Sequence, residues 1–179
     1  MKHNILIFLF LIVLPFTVSS QVLAHSASIS GGIYGDGYGG ELSYISYLGE
    51  NSFTQIAVNG TYINFKSGNV TIPYYSATAS YSYFITVLSR DRKMQSLSLG
   101  GGLLGGYESA NNGKEELSNI VSLSGKSKLI FGPVLSADLD IIISNHYSVM
   151  IKTSQAYHIN SDFGKFTNYS GIGIRYYFD

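Results

Sequence analysis

The stretch LSLGGGLLGGYES, residues 97–109, decides how the rest of the chain is read. Gly100, Gly102 and Gly105 spell G-x-G-x-x-G, the turn that seats a dinucleotide pyrophosphate at a helix N-terminus. That reading requires a helix after the glycines and a βαβ unit around them, but residues 108–116 are polar and turn-rich. Taken alternately, the odd positions are Leu97, Leu99, Gly101, Leu103, Gly105 and Tyr107, and the even ones Ser96, Ser98, Gly100, Gly102, Leu104, Gly106 and Glu108. One face is mostly apolar and the other small or polar, which is the period-2 signature of a strand between two environments. Gly100, Gly102 and Gly106 then belong to an inner face, where they make space for larger neighbours.

The same split recurs downstream. Over residues 129–143 the odd face carries Leu129, Phe131, Pro133, Leu135, Ala137, Leu139, Ile141 and Ile143 against Gly132, Ser136, Asp138 and Asp140. Tyr147, Val149, Ile151 and Tyr157 oppose Ser148, Lys152 and Ser154, and at the end Ile172, Ile174, Tyr176 and Phe178 oppose Gly171, Gly173 and Arg175. Eight such segments are predicted, at residues 27–35, 40–48, 53–66, 70–88, 94–108, 128–143, 147–159 and 168–178, with a bulge expected near Gly60. Connections at 49–52, 89–93 and 144–146 read as short turns; those at 36–39, 67–69, 109–127 and 160–167 read as longer loops. An even strand count with short turns on one side and longer loops on the other predicts an all-β, eight-stranded antiparallel up-and-down transmembrane β-barrel in a bacterial outer membrane, both termini periplasmic. About eleven residues at ~3.3 Å each, tilted near 45°, span roughly the 25 Å apolar band of such barrels. A secreted β-sandwich shares the alternation, but only closure leaves no strand edge in lipid.

Composition is consistent with this. Tyr34, Tyr74, Tyr75, Tyr107, Tyr157, Tyr176 and Tyr177 fall near strand ends, where interfacial aromatic girdles are expected. Residues 1–24 read as a secretory signal peptide, with Lys2 and His3 ahead of an apolar run and cleavage after Ser20 or Ala24, leaving 25–179 as the barrel domain. Beyond the leader no apolar run approaches 18 residues, so a membrane role must use strands. The chain has no cysteine, which excludes disulfides, Cys-ligated metals and a lipid-modified N-terminal cysteine. Its formal net charge is +0, so direct nucleic-acid binding is not expected.

Motifs of catalysis do not form. Gly125-Lys126-Ser127 has Ile120 where a phosphate loop needs its first glycine, and no G-x-S-x-G elbow exists. His25, His146 and His158 form no metal-spaced pair and read as loop or girdle residues. No catalytic, cofactor or metal site is expected, and no small-molecule substrate. One polar grouping stands out. A three-residue turn at 144–146 pairs Ile143 with Tyr147, which sets Asp138 opposite Lys152, both inward. Arg175, Glu108 and Asp140 are placed to join them in a lumen cluster. Such a cluster would plug a narrow barrel; a proton or ion path, or a catalytic dyad, is the alternative.

In order along the chain, VTIPYYSATASYSYFITVLSRDRK, SLSLGGGLLGGYESANNG, SKLIFGPVLSADLDIIISNHYSVMIKTSQ and FTNYSGIGIRYYF together resemble the conjugal transfer protein TraO family of Bacteroides-type conjugative elements. The resemblance covers roughly residues 40–178. It implies a small, non-catalytic outer-membrane component of a type IV secretion-like DNA-transfer apparatus, with other conjugal transfer proteins and outer-membrane lipid as partners. The family tends to end on an aromatic residue, where this chain ends on Asp179, and often carries a tryptophan that residues 158–166 lack. The charged turn at 90–93 is a candidate contact for periplasmic subunits, and the loops at 109–127 and 160–167 for surface partners. A stand-alone barrel acting as adhesin or envelope stabiliser is the alternative function.

Overall fold

Because each segment has one face suited to lipid and one suited to a packed interior, the strands can bury both only by closing on themselves. The computed structural model describes residues 25–67, 70–90, 95–110, 116–118, 121–122, 127–161 and 164–178; the expected signal peptide lies outside them. The strands are β1 (His25–Tyr34), β2 (Gly37–Tyr47), β3 (Ser52–Ser67), β4 (Val70–Arg90), β5 (Gln95–Ala110), β6 (Glu116–Ser118), β7 (Val121–Ser122), β8 (Lys128–Ile142), β9 (Tyr147–Tyr157) and β10 (Phe166–Tyr177). Eight of them form one closed antiparallel barrel in the order β1-β10-β9-β8-β5-β4-β3-β2, while β6 and β7 pair only with each other in the connection from β5 to β8. The seam is a continuous ladder from Ser26↔Tyr177 to Tyr34↔Tyr169, extended by Phe178 N donating to His25 O at 2.9 Å. The described residues contain no helix.

The two faces separate as the alternation predicts. Outward side chains include Leu103, 70% exposed, with Ile29, Leu42, Leu135 and Ile172 around the same wall. Inward ones include Ile45, Phe53 and Phe84, with the two phenylalanine rings stacked at 4.8 Å. Aromatic residues ring both ends of the outer wall. Tyr38, Tyr62 and Tyr75 stand side by side across β2, β3 and β4, and Tyr44, Tyr147, Tyr176 and Phe178 cluster at the opposite end. Three tyrosines expected in the girdles belong to the interior instead. Tyr34 and Tyr74 are buried, and Tyr177 is half-buried beside Tyr47, because each shares the parity of its strand's inner face.

Two local expectations are corrected. The ladder runs unbroken through Gly60, with Gln55, Ala57, Thr61 and Ile63 inward on either side of it. The irregularity falls in β4 between Thr86 and Leu88, so that Val87 and Leu88 both face out. The connections also differ. At the end where β1 starts and β10 stops, the turn end, residues 48–51, 91–94 and 143–146 link strands; at the opposite, loop end the first two links are only residues 35–36 and 68–69. Gly35, at φ 55°, makes the tight β1–β2 turn possible, so the longer loop expected at 36–39 is absent. Only the β5–β8 and β9–β10 connections are long.

The glycines of β5 explain the opening motif. A Cβ on Gly100 would sit 2.5 Å from the Phe84 ring, whereas on its neighbour Gly101 it would meet Leu135 Cδ2 at 3.4 Å and Val134 O at 3.8 Å, both at ordinary contact distance. Inward glycine therefore makes the room that a buried phenylalanine fills. Gly100→Val is expected to destabilise by about 1–3 kcal/mol, the usual penalty for overpacking, and Gly101→Val to be tolerated. Heat-dependent electrophoretic mobility of the purified barrel compares the folded fractions of the two variants.

Candidate functional site

The interior of an eight-stranded barrel is just wide enough to be filled by side chains, so charges placed there must find partners there. Asp138 and Asp140, two apart on β8, point the same way. Arg175 on β10 reaches them across β9, where its cross-strand neighbour is the small Ser148. Its two terminal nitrogens divide between the carboxylates, Nη2 to Asp138 at 2.5 Å and Nη1 to Asp140. Ser148 Oγ donates to the remaining Asp140 oxygen at 2.6 Å, and the guanidinium lies 5.8 Å from the Phe53 ring centre. All three charged residues are buried, Arg175 to 1% exposure.

Lys152 is directly opposite Asp138 in the β8–β9 ladder, as the turn length predicts. Its ammonium nevertheless crosses the lumen to Glu41 on β2, at 2.5 Å, and Gln55 Nε2 donates to the same oxygen at 3.0 Å. Arg175 has taken Asp138, and Gly171, the other cross-strand neighbour of Lys152, offers no side chain. Glu108 joins neither group. It lies at the loop end, where Oε2 accepts from Tyr74 at 3.0 Å and from Ser161 at 2.7 Å. Of the five residues expected in one cluster, Arg175, Asp138 and Asp140 form a triad, Lys152 anchors a second layer, and Glu108 stands alone with hydroxyl partners. Sequence reasoning missed Glu41 and Gln55. Both sit on the inner parity of β2 and β3, and a single carboxylate among Gly39, Gly40 and Leu42 was the available signal.

Hydroxyl pairs fill the remaining polar spaces: Ser28 with Ser43 at 2.6 Å, Ser30 with Tyr169 at 2.7 Å, Thr61 with Ser76 at 2.5 Å. A cavity of about 290 Å³ opens at the turn end, lined by Tyr47, Phe53, Asp140, Arg175 and Tyr177 among others. In mid-lumen, a void of about 30 Å³ lies among Glu41, Gln55, Lys152 and Tyr169, roughly the volume of one water molecule. Of the histidines, His25 and His146 stack on girdle tyrosines Tyr44 and Tyr176, as expected, but His158 is buried at the loop end rather than solvated. Among the described residues no group of three or more His, Asp or Glu could hold a metal ion.

An apolar wall, aromatic rings at both ends and a packed, charge-paired lumen define the class as a small outer-membrane-type β-barrel. Solved structures agree on the fold. A major outer membrane protein from Thermus thermophilus superposes with a TM-score of 0.66 at 13% identity, covering 88% of this chain and 100% of that one. Neisserial surface protein A gives 0.56 at 13% identity over 90% and 100% of the two chains. Ail, the attachment invasion locus protein of Yersinia pestis, in complex with the heparin analogue sucrose octasulfate, gives 0.55 at 12% over 87% and 97%. No curated protein matches the chain in sequence. The family model described as conjugative transposon protein TraO matches residues 16–178, and the chain belongs to that family.

Removing one member of a buried charged group leaves the others unpaired, at about 3–5 kcal/mol. Arg175→Met is expected to lose stability of that order, and adding Asp138→Asn with Asp140→Asn to restore most of it. Denaturant unfolding of the barrel in detergent micelles, followed by tyrosine fluorescence, compares the two variants with the parent.

Proposed function

We propose that this barrel is a non-catalytic structural or docking component of a conjugative DNA-transfer apparatus, set in the bacterial outer membrane with the turn end in the periplasm. Family membership across residues 16–178 carries the reading. The outward band of Leu42, Leu103, Leu135 and Ile172 suits lipid, and the girdles suit its two interfaces. Both long connections, after β5 and β9, lie at the loop end beside the two-residue links at 35–36 and 68–69, while the turn end has only four-residue connections, which is consistent with a periplasmic turn end.

The lumen argues against a conduit. Barrels that leave an aqueous channel need about 16 strands, whereas this one has eight, with Arg175, Lys152, Phe84 and Tyr169 across its bore. DNA and its attached protein must therefore pass elsewhere in the machine, and this barrel's contribution is made at its two ends. The turn at 90–93, Arg-Asp-Arg-Lys, offers a charged handle to periplasmic transfer proteins, and the β5–β8 and β9–β10 loops face outward. Partners of this kind recognise surface, so no substrate or cofactor enters the mechanism.

A donor carrying a clean in-frame deletion of the gene is expected to lose transfer, and the gene supplied in trans to restore it; unchanged transfer would move the role to an adhesin or envelope stabiliser. Replacing residues 90–93 with neutral residues is expected to abolish co-purification of transfer proteins while leaving the folded barrel in the membrane fraction.

A further inference from the structure

At the loop end a buried polar group stands apart from the charge-paired layers. His158 is the first residue after β9 and is 1% exposed. Its backbone N donates to Lys165 O at 2.7 Å, and its ring Nε2 lies 2.8 Å from Thr167 Oγ1, which also accepts from the Tyr34 hydroxyl at 3.2 Å. A threonine hydroxyl that accepts from Tyr34 has its own proton free to donate to Nε2, an arrangement that suits a neutral imidazole. The other ring nitrogen, Nδ1, is buried without a hydrogen-bond partner. Three residues on, Ser161 is fastened to Glu108, a fully buried carboxylate whose second oxygen, Oε1, has no hydrogen bond either. Ile159 N donates to Phe131 O at 3.0 Å and Asn160 Nδ2 to Leu129 O at 2.6 Å, so residues 158–161 are fixed to the wall at the ring, the backbone, a side-chain amide and a hydroxyl.

We propose that His158 is an acid-sensitive latch: while its ring is neutral, residues 158–161 stay fastened to the lumen wall through Thr167 and Glu108, and protonation of the ring releases them. With Nε2 accepting, the neutral ring already carries its proton on Nδ1, so the added proton enters at Nε2, where it removes the acceptor that Thr167 donates to and places a charge where little water reaches; a buried cation is costly unless paired. Thr167 from β10 meets the ring and Glu108 from β5 acts on it; Tyr34 from β1 shares Thr167, Tyr74 from β4 shares Glu108, and Tyr169 from β10 lies beside Tyr34. Lys128 on β8 stands opposite Glu108 in the ladder, and Lys165 meets His158 through its backbone. Asp162 lies outside the described residues. Burial pushes His158 below its ordinary value, and the pull of Glu108 in the other direction does not overcome it.

The fastened state thus binds its proton more weakly than the released one, whose ring titrates near 6.5. In the interval from there down to the fastened value the released state holds more protons, so falling pH favours release by up to about tenfold per unit. The inference rests on this geometry and not on the role in DNA transfer.

Hydrogen exchange of the full chain in lipid nanodiscs, corrected for intrinsic rates between pH 8 and pH 5.5, tests it. Protection of the His158 and Ile159 amides is expected to fall with pH while the β1–β10 seam stays protected. His158→Gln, which keeps a polar partner for Thr167 and cannot titrate, is expected to flatten the response; Glu108→Gln, which removes the opposing attraction, to deepen it. Protection that holds or rises as pH falls, an unchanged response in His158→Gln, an abolished one in Glu108→Gln, or loss of seam protection over the same pH range would each overturn the latch.

Discussion

Eight strands close on a bore that side chains can just fill, and this narrowness governs the rest of the molecule. A wider barrel would hydrate an inward aspartate; here Asp138 and Asp140 must share an arginine, and Lys152 must cross the lumen to reach Glu41. The same lack of room sets where glycine is needed. Phe84 occupies the space a side chain on Gly100 would take, and the stack of Phe84 on Phe53 then supports the guanidinium above it. Aromatic, glycine and ion pair are three outcomes of one constraint on cross-section. Replacing a buried ion pair with apolar residues of similar volume is often neutral or stabilising. The triad is therefore better understood as fixing how β8, β9 and β10 sit relative to one another than as a source of stability.

How far the sequence could be read depended on which face carried the contrast. In β5, β8 and β10 the outer face is aliphatic and the inner one small or charged, and these strands were legible to within a few residues. The turn at 143–146 fixed the β8–β9 register, and Asp138 does lie opposite Lys152. The partner of Lys152 was not legible. Cross-strand parity identifies neighbours along the sheet, whereas the Lys152–Glu41 pair spans the lumen between β9 and β2, a distance only closure defines. Early strands were harder because their inner faces are largely hydroxyls, as at Ser26, Ser28, Ser30 and Ser43, which read as polar exterior until the barrel turns them inward. Tyrosine was ambiguous for a related reason. Its ring suits a girdle and its hydroxyl suits a wet lumen, so Tyr34 and Tyr74 had no composition-level mark separating them from Tyr38 and Tyr75.

The interior is also unequal along its length. At the turn end Arg175 and the two aspartates lie beneath an open cavity; at the loop end Glu108 carries hydroxyl ligands and His158 a threonine. Charge–charge pairs hold one half and neutral hydrogen bonds to single titratable groups the other. The two halves of the lumen are therefore held together by different kinds of interaction.

The seam between β1 and β10 joins residues such as Ser30 and Tyr169 that stand 139 positions apart. It is the most distant pairing in the chain and the last one its synthesis makes available. Until β10 arrives, β1 presents an open edge that lipid cannot satisfy, so a partly built wall has no stable resting place in a bilayer. Closure therefore requires the first and last strands to meet before either edge is satisfied. Once Phe178 has met His25, the ring has no privileged beginning. Joining the ends and reopening the chain at 48–51 or 143–146 would preserve every ladder of the finished wall while changing which strand has to wait.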